Sequence, residues 1–245
     1  VSVSNPPAAN VPRDNEVRGM ITSRFENGKL VALDYKQLEM RLSASEAGEE
    51  AMLAIFLAGG DLHDETARNL SGGDNFTEKE REMSKGVNFG TIYGISSYSL
   101  ALTFNLDQEK ARGWLRAHRK LYPKIYEWMD AQHGFLRKHG WIASRLGQIR
   151  HLPDAVKNLS EKDLFRLYRQ AGNFPIQSLG AHLTNRAAFE IDKVLTKREM
   201  KSMVVHQVHD LILGDAVLEE AEQVSRISSQ IMTKLVPRTY APFLK

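Results

Sequence analysis

Two aspartates, Asp34 and Asp210, are of a type and placement that could hold metal ions for phosphoryl chemistry. Asp34 directly follows the apolar run 30–33, the pattern of a buried strand. Asp210 lies between two apolar runs, 203–208 and 211–214, which predict a β-hairpin with Asp210 at its tip. Carboxylates on strands of one sheet suit Mg²⁺, and two such ions can stabilise both the attacking and the leaving oxygen of an in-line displacement. Taken singly, each aspartate also fits an ordinary strand-end or turn residue.

A second group of candidates lies in residues 81–93, where two cations and two aromatics recur every fourth residue. The four are Arg81, Lys85, Phe89 and Tyr93. Because an α-helix advances about 100° per residue, each step of four drifts by only about 40°, so these side chains share one broad stripe. Two cations one turn apart suit a triphosphate, and an aromatic ring one turn further suits a stacked base. The alternative is an amphipathic helix that packs its two aromatics in the core.

The helix that carries this stripe has explicit signals at both ends. Thr77 and Glu80 have the spacing of a capping box, which predicts a helix start there, and Gly94 predicts its end. Gly86 and Gly90 lie inside the helix, where each costs about 1 kcal/mol. They predict that another group approaches the helix closely at these positions.

The remaining pattern supplies the elements that must position these candidates. A mixed order of strands and helices, with helices dominating the middle, predicts an α+β fold with a small antiparallel sheet that carries the acidic residues. The predicted elements are an extended loop over 1–16, helices over 37–47 and 49–58, a helix capped by Asp107, a helix opened by Pro123, a strand over 141–146 with a turn at Gly147, a helical face over 179–194 and a helix over 217–235.

Composition narrows the class of protein. The 245 residues are 42% hydrophobic, enough to bury one large core or two modest ones, and no run approaches the ~18 apolar residues of a membrane span. Lys plus Arg is 33 against 30 Asp plus Glu, a formal net charge of +3 that permits a nucleic-acid partner without demanding one. There are no cysteines, which excludes disulfides and thiolate metal sites. The N-terminus lacks the pattern of a signal peptide, so we expect a cytoplasmic, non-secreted protein.

Three segments resemble the ordered motifs of family A DNA polymerases, the group of bacterial DNA polymerase I and many phage replicases. Residues 34–41 (DYKQLEMR) resemble motif A, residues 81–94 (REMSKGVNFGTIYG) resemble motif B, and residues 207–210 (QVHD) resemble motif C. Shorter similar segments fall in the family's order at 4–12, 60–67, 146–154 and 173–177. The resemblance therefore covers nearly the whole chain.

The resemblance implies a polymerase palm with a helical fingers insertion. The palm would comprise residues 1–60 and 141–245, with the motif C hairpin at about 203–214. The fingers would comprise residues 61–140, with the motif B helix at about 77–94. The implied activity is template-directed transfer of dNMP from a dNTP to a primer 3′-OH in replication or repair, in a bacterial or phage-infected cell. The implied partners are primer-template DNA, dNTP and two Mg²⁺ ions, for which Mn²⁺ could substitute.

By the same resemblance, the metal ions belong to Asp34 and Asp210, with the backbone carbonyl of Tyr35 as a further ligand. Arg81 and Lys85 would grip the triphosphate. Lys85 would also donate a proton to the leaving pyrophosphate, which makes it the third catalytic residue.

The resemblance also implies residues that select the nucleotide and hold the DNA. Phe89 would pack on the sugar and base, Tyr93 would hold the templating position, and Glu39 would be a steric gate against ribonucleotides. Two further residues are grouped with the nucleotide site, Gln37 and His63. The residues expected to contact DNA are His209, Gln177, Arg41, Arg150 and Asn10.

Two departures from the family pattern leave alternatives open. Leu211 stands where motif C usually continues with Glu, and residues 178–182 (SLGAH) replace a typical run of small and acidic residues. They favour, as an alternative, a degenerate or truncated core that binds DNA without synthesis. An RNA polymerase on the same palm is a third reading, against which Glu39 argues. Both chain ends look cut, so we expect a longer polypeptide in which a thumb, an exonuclease or a separate processivity factor completes the enzyme.

Overall fold

The computed structural model describes residues 21–235, 237 and 238, and it has the α+β class expected from the sequence. The predicted loop over 1–16 and Asn10 lie outside the described residues. None of the helices in the described part is long and apolar enough to cross a membrane. In chain order the elements are β1 (Lys29–Asp34), α1 (Leu38–Ala47), α2 (Glu50–Leu57), α3 (Leu62–Ser71), α4 (Glu78–Ile92), α5 (Ser97–Phe104), α6 (Gln108–Leu121), α7 (Pro123–His139), β2 (Trp141–Ala143), β3 (Ile149–His151), α8 (Glu161–Lys197), β4 (Met203–Val208), β5 (Leu211–Ala216) and α9 (Ala221–Gln230).

The chain divides into two compact units. The first contains the described residues up to Leu38 and those from Gly180 onward, and the second runs from Glu39 to Leu179. Both α1 and α8 therefore contribute residues to each unit.

The first unit is built on a three-stranded antiparallel sheet in the order β1-β5-β4. β5 is central: it pairs with β1 from Lys29↔Ala216 to Asp34↔Leu211, and it forms the predicted hairpin with β4. One face of the sheet packs on the C-terminal part of α8 and on α9, where Ile191 and Val224 are buried. Burial of this face sets the register of β1, because a slip by one residue would turn its apolar side chains to solvent.

Asp215, close in sequence to Asp210, has a structural role. It is 4% exposed and accepts hydrogen bonds from Ser23 Oγ at 2.6 Å and from Arg24, through the backbone N at 3.2 Å and Nε at 3.0 Å. Although burial opposes it, these bonds hold the pKa of Asp215 below its usual range. Asp215 therefore ties the segment before β1 to the central strand.

The second unit is helical except for the small β2–β3 hairpin, and two of its apolar clusters contain residues of α4. One joins Met40, Phe56 and Tyr122, and the other joins Val87 and Trp114. Burial of such large side chains, each contributing about 1.5–3 kcal/mol, holds α4 against its neighbours.

The capping box that opens α4 is present as predicted. The Thr77 hydroxyl accepts from the backbone N of Glu80 at 3.2 Å, and the Glu80 carboxylate accepts from the backbone N of Thr77 at 2.8 Å. The helix ends at Ile92, with Gly94 in the left-handed region at φ 68°. The capping box could be predicted from the sequence because Thr77 and Glu80 are only three positions apart.

The glycines inside α4 do mark close approaches, and the approaching groups are the protein's own side chains. A Cβ at Gly86 would lie 2.5 Å from the ring of Phe104, and one at Gly90 would lie 2.7 Å from Ile95. Contacts this short would force the neighbour to move, so both glycines permit the packing of α4 against the segment that follows it.

Other elements differ from the prediction in extent. The strand predicted over 141–146 ends at Ala143, because Ser144 and Gly147 form a turn in which Gly147 N donates to Ser144 O at 2.9 Å. The helical face expected from Leu179 belongs to a longer helix that begins at Glu161 and contains Pro175. Proline predicts a break, yet buried neighbours such as Ile176 hold the helix together by packing. The segment 217–235 forms a 3₁₀ turn (Leu218–Glu220), α9 and a π turn (Ile231–Leu235) in place of one helix.

Candidate active site

Asp34 and Asp210 lie side by side at one end of the first unit's sheet. Asp34 is the last residue of β1 and pairs with Leu211, which follows Asp210 at the hairpin tip. The pKa of Asp34 is raised, first by burial, then by the negative charge of Asp210 and by a side-chain hydrogen bond between the two; a backbone bond from Tyr35 opposes the rise. Two carboxyls this close cannot both ionise freely without a cation.

This carboxyl pair fits a Mg²⁺ site. Mg²⁺ in proteins is commonly held by one or two carboxylates, with waters and substrate phosphates completing its shell. No cluster of three or more potential ligands occurs among the described residues, so the protein's own charged ligands there would be these two. A divalent cation would offset both the burial and the repulsion from Asp210 that raise the pKa of Asp34.

The backbone beside the two aspartates is strained. Gln37 has φ 55° and His209 has φ 53°, values that non-glycine residues seldom adopt. Such strain costs on the order of 1–3 kcal/mol per residue and clusters at functional sites. Nearby, Tyr35 is anchored by its hydroxyl, which donates to the backbone O of Met232 at 3.2 Å. The three predicted residues around the carboxyl pair, Tyr35, Gln37 and His209, thus belong to the first unit.

The cation and aromatic candidates of α4 gather in the second unit. Arg81 Nε donates to Asp64 Oδ1 at 2.5 Å, and its NH2 lies 3.7 Å from Asp61 Oδ2. Lys85 is half-exposed and lies 3.9 Å from Glu82, too far for a firm ion pair. The two cations therefore differ, since one is already oriented by carboxylates and the other extends toward solvent.

His63 joins this group from α3. Asp61 caps that helix by accepting from the backbone N of His63 at 2.8 Å and of Asp64 at 3.3 Å. The His63 ring lies 5.4 Å from that of Phe89. Burial lowers the pKa of His63; the nearby Arg81 and Lys85 lower it further, and Asp61 and Asp64 oppose them. The cap thus places His63 beside the stripe of α4.

The far end of the stripe forms a second contact group around Tyr93. Its hydroxyl donates to Glu39 Oε2 at 2.6 Å and lies 3.4 Å from Gln177 Nε2, while Arg169 Nε donates to the Tyr93 backbone O at 3.0 Å. Burial, followed by the bond to Glu39, raises the pKa of Tyr93 to about 12. Tyr93 therefore stays a neutral hydroxyl that fixes the carboxylate of Glu39.

The other predicted DNA-contacting residues of the second unit have simpler surroundings. The Arg41 guanidinium lies 4.5 Å from the centre of the Phe56 ring, a cation–π contact, and burial lowers its pKa. Arg150 is exposed on β3, opposite Ile142 of β2. Arg41 thus packs against an aromatic ring, whereas the side chain of Arg150 is exposed to solvent.

A buried polar network, which the sequence patterns did not predict, lies behind His63. Asn88 Nδ2 is 3.0 Å from His63 Nδ1, Asn88 Oδ1 is 2.9 Å from His118 Nε2, and His118 Nδ1 is 2.9 Å from the Tyr126 hydroxyl. Thr66 Oγ1 lies 3.2 Å from both Asn88 side-chain atoms. The available signal was His118 on the apolar face of its helix, together with a buried Asn on α4.

This network predicts a pH dependence of stability. His118 is fully buried, and burial lowers its pKa to about 3 from an ordinary value of 6.5. Below pH 6.5 the unfolded chain binds a proton that the folded chain refuses, so stability is lost as the pH falls toward 3 and is constant above 6.5. We expect unfolding in urea to show a loss of about 2 kcal/mol from His118 between pH 7 and pH 5.

The comparison that checks this prediction uses His118→Gln, which should be less stable at pH 7 but lose less stability on acidification. His151→Gln is a matched control, because His151 is exposed on β3. Equal pH slopes for His118→Gln and the unmodified chain would contradict the assignment.

Comparisons with known proteins agree with one another. The sequence model described as DNA polymerase family A matches residues 1–240. The thermostable DNA polymerase I of Thermus aquaticus is 30% identical over 245 residues, and the match covers 97% of this chain and 29% of that protein. DNA polymerase I of Lactococcus lactis subsp. cremoris (strain MG1363) is 30% identical over 243 residues, with 96% and 28% covered. The chain thus spans less than a third of the length of these relatives.

A solved structure is similar over the same extent. The POL domain of Pol1 from M. smegmatis, in complex with DNA primer-template and dNTP, matches with a TM-score of 0.86 and 25% identity. The match covers 94% of this chain and 42% of that one.

Proposed function

Because this chain belongs to DNA polymerase family A, we propose that it provides the palm and fingers of a DNA-directed DNA polymerase. Its substrates are a primer-template DNA and a dNTP, and the reaction is attack of the primer 3′-OH on the α-phosphate with loss of pyrophosphate. The observation that carries the proposal is the adjacent pair Asp34 and Asp210, because two carboxyls side by side form a site for cations. We keep residues 1–60 and 141–245 as the proposed palm and 61–140 as the fingers.

The carboxyl pair would hold Mg²⁺, with the backbone carbonyl of Tyr35 as a further ligand. When bound, Mg²⁺ stabilises negative charge on the attacking and leaving oxygens of a phosphoryl transfer. Asp34 and Asp210 lie at the ends of rigid hydrogen-bonded strands, so they need little rearrangement to act.

Arg81 and Lys85 would neutralise the triphosphate. A guanidinium has five N–H donors, so the contacts of Arg81 to Asp64 and Asp61 orient it without using all of them. Lys85 is half-exposed and makes only a 3.9 Å approach to Glu82, so its ammonium group can reach the departing pyrophosphate as a donor. Phe89 and His63 would contact the same nucleotide, His63 as a hydrogen-bond donor to phosphate.

Glu39 would exclude ribonucleotides. Its carboxylate is fixed by the 2.6 Å bond from Tyr93, so it cannot easily move away from a 2′-hydroxyl. A fixed, half-buried carboxylate that gains no compensating bond disfavours the larger sugar.

The test of this role is Glu39→Ala, which should raise ribonucleotide incorporation relative to dNTP by about tenfold to a hundredfold, because the obstructing carboxylate is gone. Tyr93→Phe should relax selection less, since it only releases Glu39. Glu50→Ala, an exposed change on α2, is the control. Selectivity that is unchanged in Glu39→Ala would reject the gate; kcat/KM for the matched rNTP and dNTP measures it.

The DNA contacts in the proposal are minor-groove and backbone contacts. Gln177 and His209 would meet the primer end, where groove acceptors occur on every base pair and check shape in place of sequence. Arg41, Arg150 and Asn10 would contact the sugar-phosphate backbone. These five assignments are drawn from the family resemblance.

A core that binds DNA without synthesis is the second candidate, favoured by Leu211. This apolar residue pairs with Asp34 in the sheet, where the family's motif C usually has a further carboxylate. A site with fewer negative charges would hold its cations more weakly.

Primer extension and DNA binding, measured together on the polypeptide that carries these residues, separate the two functions. Template-dependent extension that needs Mg²⁺ and stops with EDTA supports the polymerase. Binding of primer-template without incorporation, in Mg²⁺ or Mn²⁺, would reject it in favour of the second candidate.

A further inference from the structure

An unbroken line of hydrogen bonds runs behind the nucleotide candidates of the second unit. It starts at Thr91, whose Oγ1 lies 3.3 Å from the Tyr126 hydroxyl, and continues from Tyr126 to His118 at 2.9 Å. From His118 it continues to Asn88 at 2.9 Å and from Asn88 to His63 at 3.0 Å. His118 and Asn88 are 0% and 1% exposed, so water does not compete for these bonds.

The chemistry of the five groups gives this line a direction. Asn88 Oδ1 only accepts, so the neutral His118 must donate to it from Nε2 and accept from Tyr126 at Nδ1. Asn88 Nδ2 only donates, so His63 must accept at Nδ1. A neutral His63 with an unprotonated Nδ1 carries its proton on Nε2. Each group thus donates to the next, from Thr91 to His63.

Thr66 and Tyr122 hold the hub of the line in place. Thr66 Oγ1 lies 3.2 Å from both Nδ2 and Oδ1 of Asn88, and 3.0 Å from the Tyr122 hydroxyl. Asn88 therefore packs against a fixed partner on α3 as well as against His118 on α6. If the Asn88 amide were rotated by 180°, His118 would have to carry its proton on Nδ1 and donate it to the Tyr126 hydroxyl. All hydrogen bonds of the line would then have to reverse together.

The charged groups around His63 do not override this arrangement. On its own helix and cap, Asp64 and Asp61 favour the protonated ring, while Arg81 and Lys85 on α4 disfavour it. The network groups of α6, α7 and their junction are neutral, since burial lowers the pKa of His118 to about 3 and raises that of Tyr122 and Tyr126. The charges that face these groups are Arg119, which lies 5.0 Å from the centre of the Tyr126 ring, and Glu65 and Glu49 near Tyr122.

We infer that Asn88 is a positioning residue that keeps His63 a neutral imidazole with its proton on Nε2, available as a donor to a nucleotide phosphate. The role of His63 toward phosphate rests on the proposed function, whereas its tautomer rests on the buried network. Arg81 and Lys85 supply charge to a triphosphate, and His63 adds a directional hydrogen bond from a neutral ring. Asn88 acts through His63 and does not itself contact the nucleotide.

Nitrogen NMR of the ¹⁵N-histidine-labelled polypeptide tests the tautomer without any activity. We expect His63, assigned from the signal lost in His63→Gln, to show a protonated Nε2 and an unprotonated Nδ1 at pH 7 to 8 and to take up a second proton only below its ordinary pKa. A proton on Nδ1, averaging of the two nitrogens, or titration near pH 6.5 would overturn the inference. Because this measurement needs neither DNA nor nucleotide, its result stands apart from the success of the proposed function.

Asn88→Asp replaces the group that donates to His63 with one that can only accept, so it tests the inference directly. Aspartate only accepts, so it still receives Nε2 of His118 but requires a proton on Nδ1 of His63. We expect the Nδ1 signal of His63 to become protonated and its pKa to rise toward neutrality. Asn69→Asp adds the same charge at an exposed site on α3 and should leave the His63 spectrum unchanged. An unchanged His63 spectrum in folded Asn88→Asp would overturn the inference.

Nucleotide affinity supplies the functional readout. A protonated His63 would bind phosphate by a charge-assisted bond, so dNTP affinity in Asn88→Asp should change by about fivefold more between pH 6 and pH 8 than in Asn69→Asp. The terminal phosphate also titrates in this range, and the matched control removes that contribution. Equal pH dependence in the two variants, with the expected NMR change present, would reject the contact between His63 and phosphate and leave the tautomer assignment intact.

Discussion

Replacing Asp210 with asparagine is expected to slow primer extension by about a thousandfold or more, the effect of several kcal/mol lost from charge stabilisation in the transition state. Asparagine keeps the size and most of the hydrogen-bonding capacity of aspartate, so the hairpin tip should retain its shape. What it removes is one negative charge beside Asp34. Asp34→Asn should have a similar effect, because the two carboxyls act as one site. Single-turnover extension with saturating dNTP measures the loss.

The same change should raise stability in the absence of metal. Burial and the charge of Asp210 disfavour the ionised form of Asp34 in the folded chain, and asparagine removes the second of these causes. Thermal unfolding in EDTA should therefore occur at a higher temperature for Asp210→Asn than for the unmodified chain. Added Mg²⁺ should stabilise the unmodified chain more than the variant, since a ligand that binds only the folded state raises its stability.

The matched control is Asp192→Asn, which neutralises an exposed aspartate on α8 in the same unit. It should leave both extension and the response to Mg²⁺ unchanged. Asp210→Asn with undiminished extension would eliminate the proposed catalytic site. A lower unfolding temperature in EDTA would show that the aspartate stabilises the hairpin and that the repulsion is not the dominant effect.

Lys85→Met is expected to lower kcat by about a hundredfold to a thousandfold, the range over which a positioned proton donor contributes. Methionine keeps a long unbranched stem and loses the charge and the proton. Lys85 makes only a 3.9 Å approach to Glu82 and is half-exposed, so stability should change by less than about 0.5 kcal/mol. A loss of activity without a loss of stability would locate the effect in the reaction.

Two comparisons sharpen this result. Lys79→Met removes an exposed lysine from the first turn of the same helix and should be neutral. Arg81→Ala should raise the KM for dNTP more than it lowers kcat, because Arg81 is oriented by Asp64 for binding. If Lys85→Met changed only KM, a role in binding alone would replace the role of proton donor. In that case the solvent isotope effect on kcat would be the same for Lys85→Met and for the unmodified enzyme.

The sequence by itself determined the local elements of this protein and the identity of its candidate catalytic residues. The capping box at Thr77, the hairpin around Asp210 and the four-residue stripe from Arg81 depend on residues a few positions apart, so they can be recognised without knowledge of distant contacts. The ordered motifs likewise depend only on residue identity and spacing, which is why they indicated the family before any contact was known.

The tertiary structure alone decided which distant residues touch. The register of β1 against β5 sets Asp34 beside Asp210, and packing within the second unit brings Glu39 to Tyr93 across 54 positions of sequence. Asn88 could not be recognised as a hub, because its role depends on helices α3, α6 and α7 meeting around α4. Pro175 is a case in which a local signal is misleading. Proline predicts a helix break, yet the helix continues through Pro175 because the residues around it are buried. Contacts of this kind arise from the burial of whole faces, which residue spacing predicts only in part.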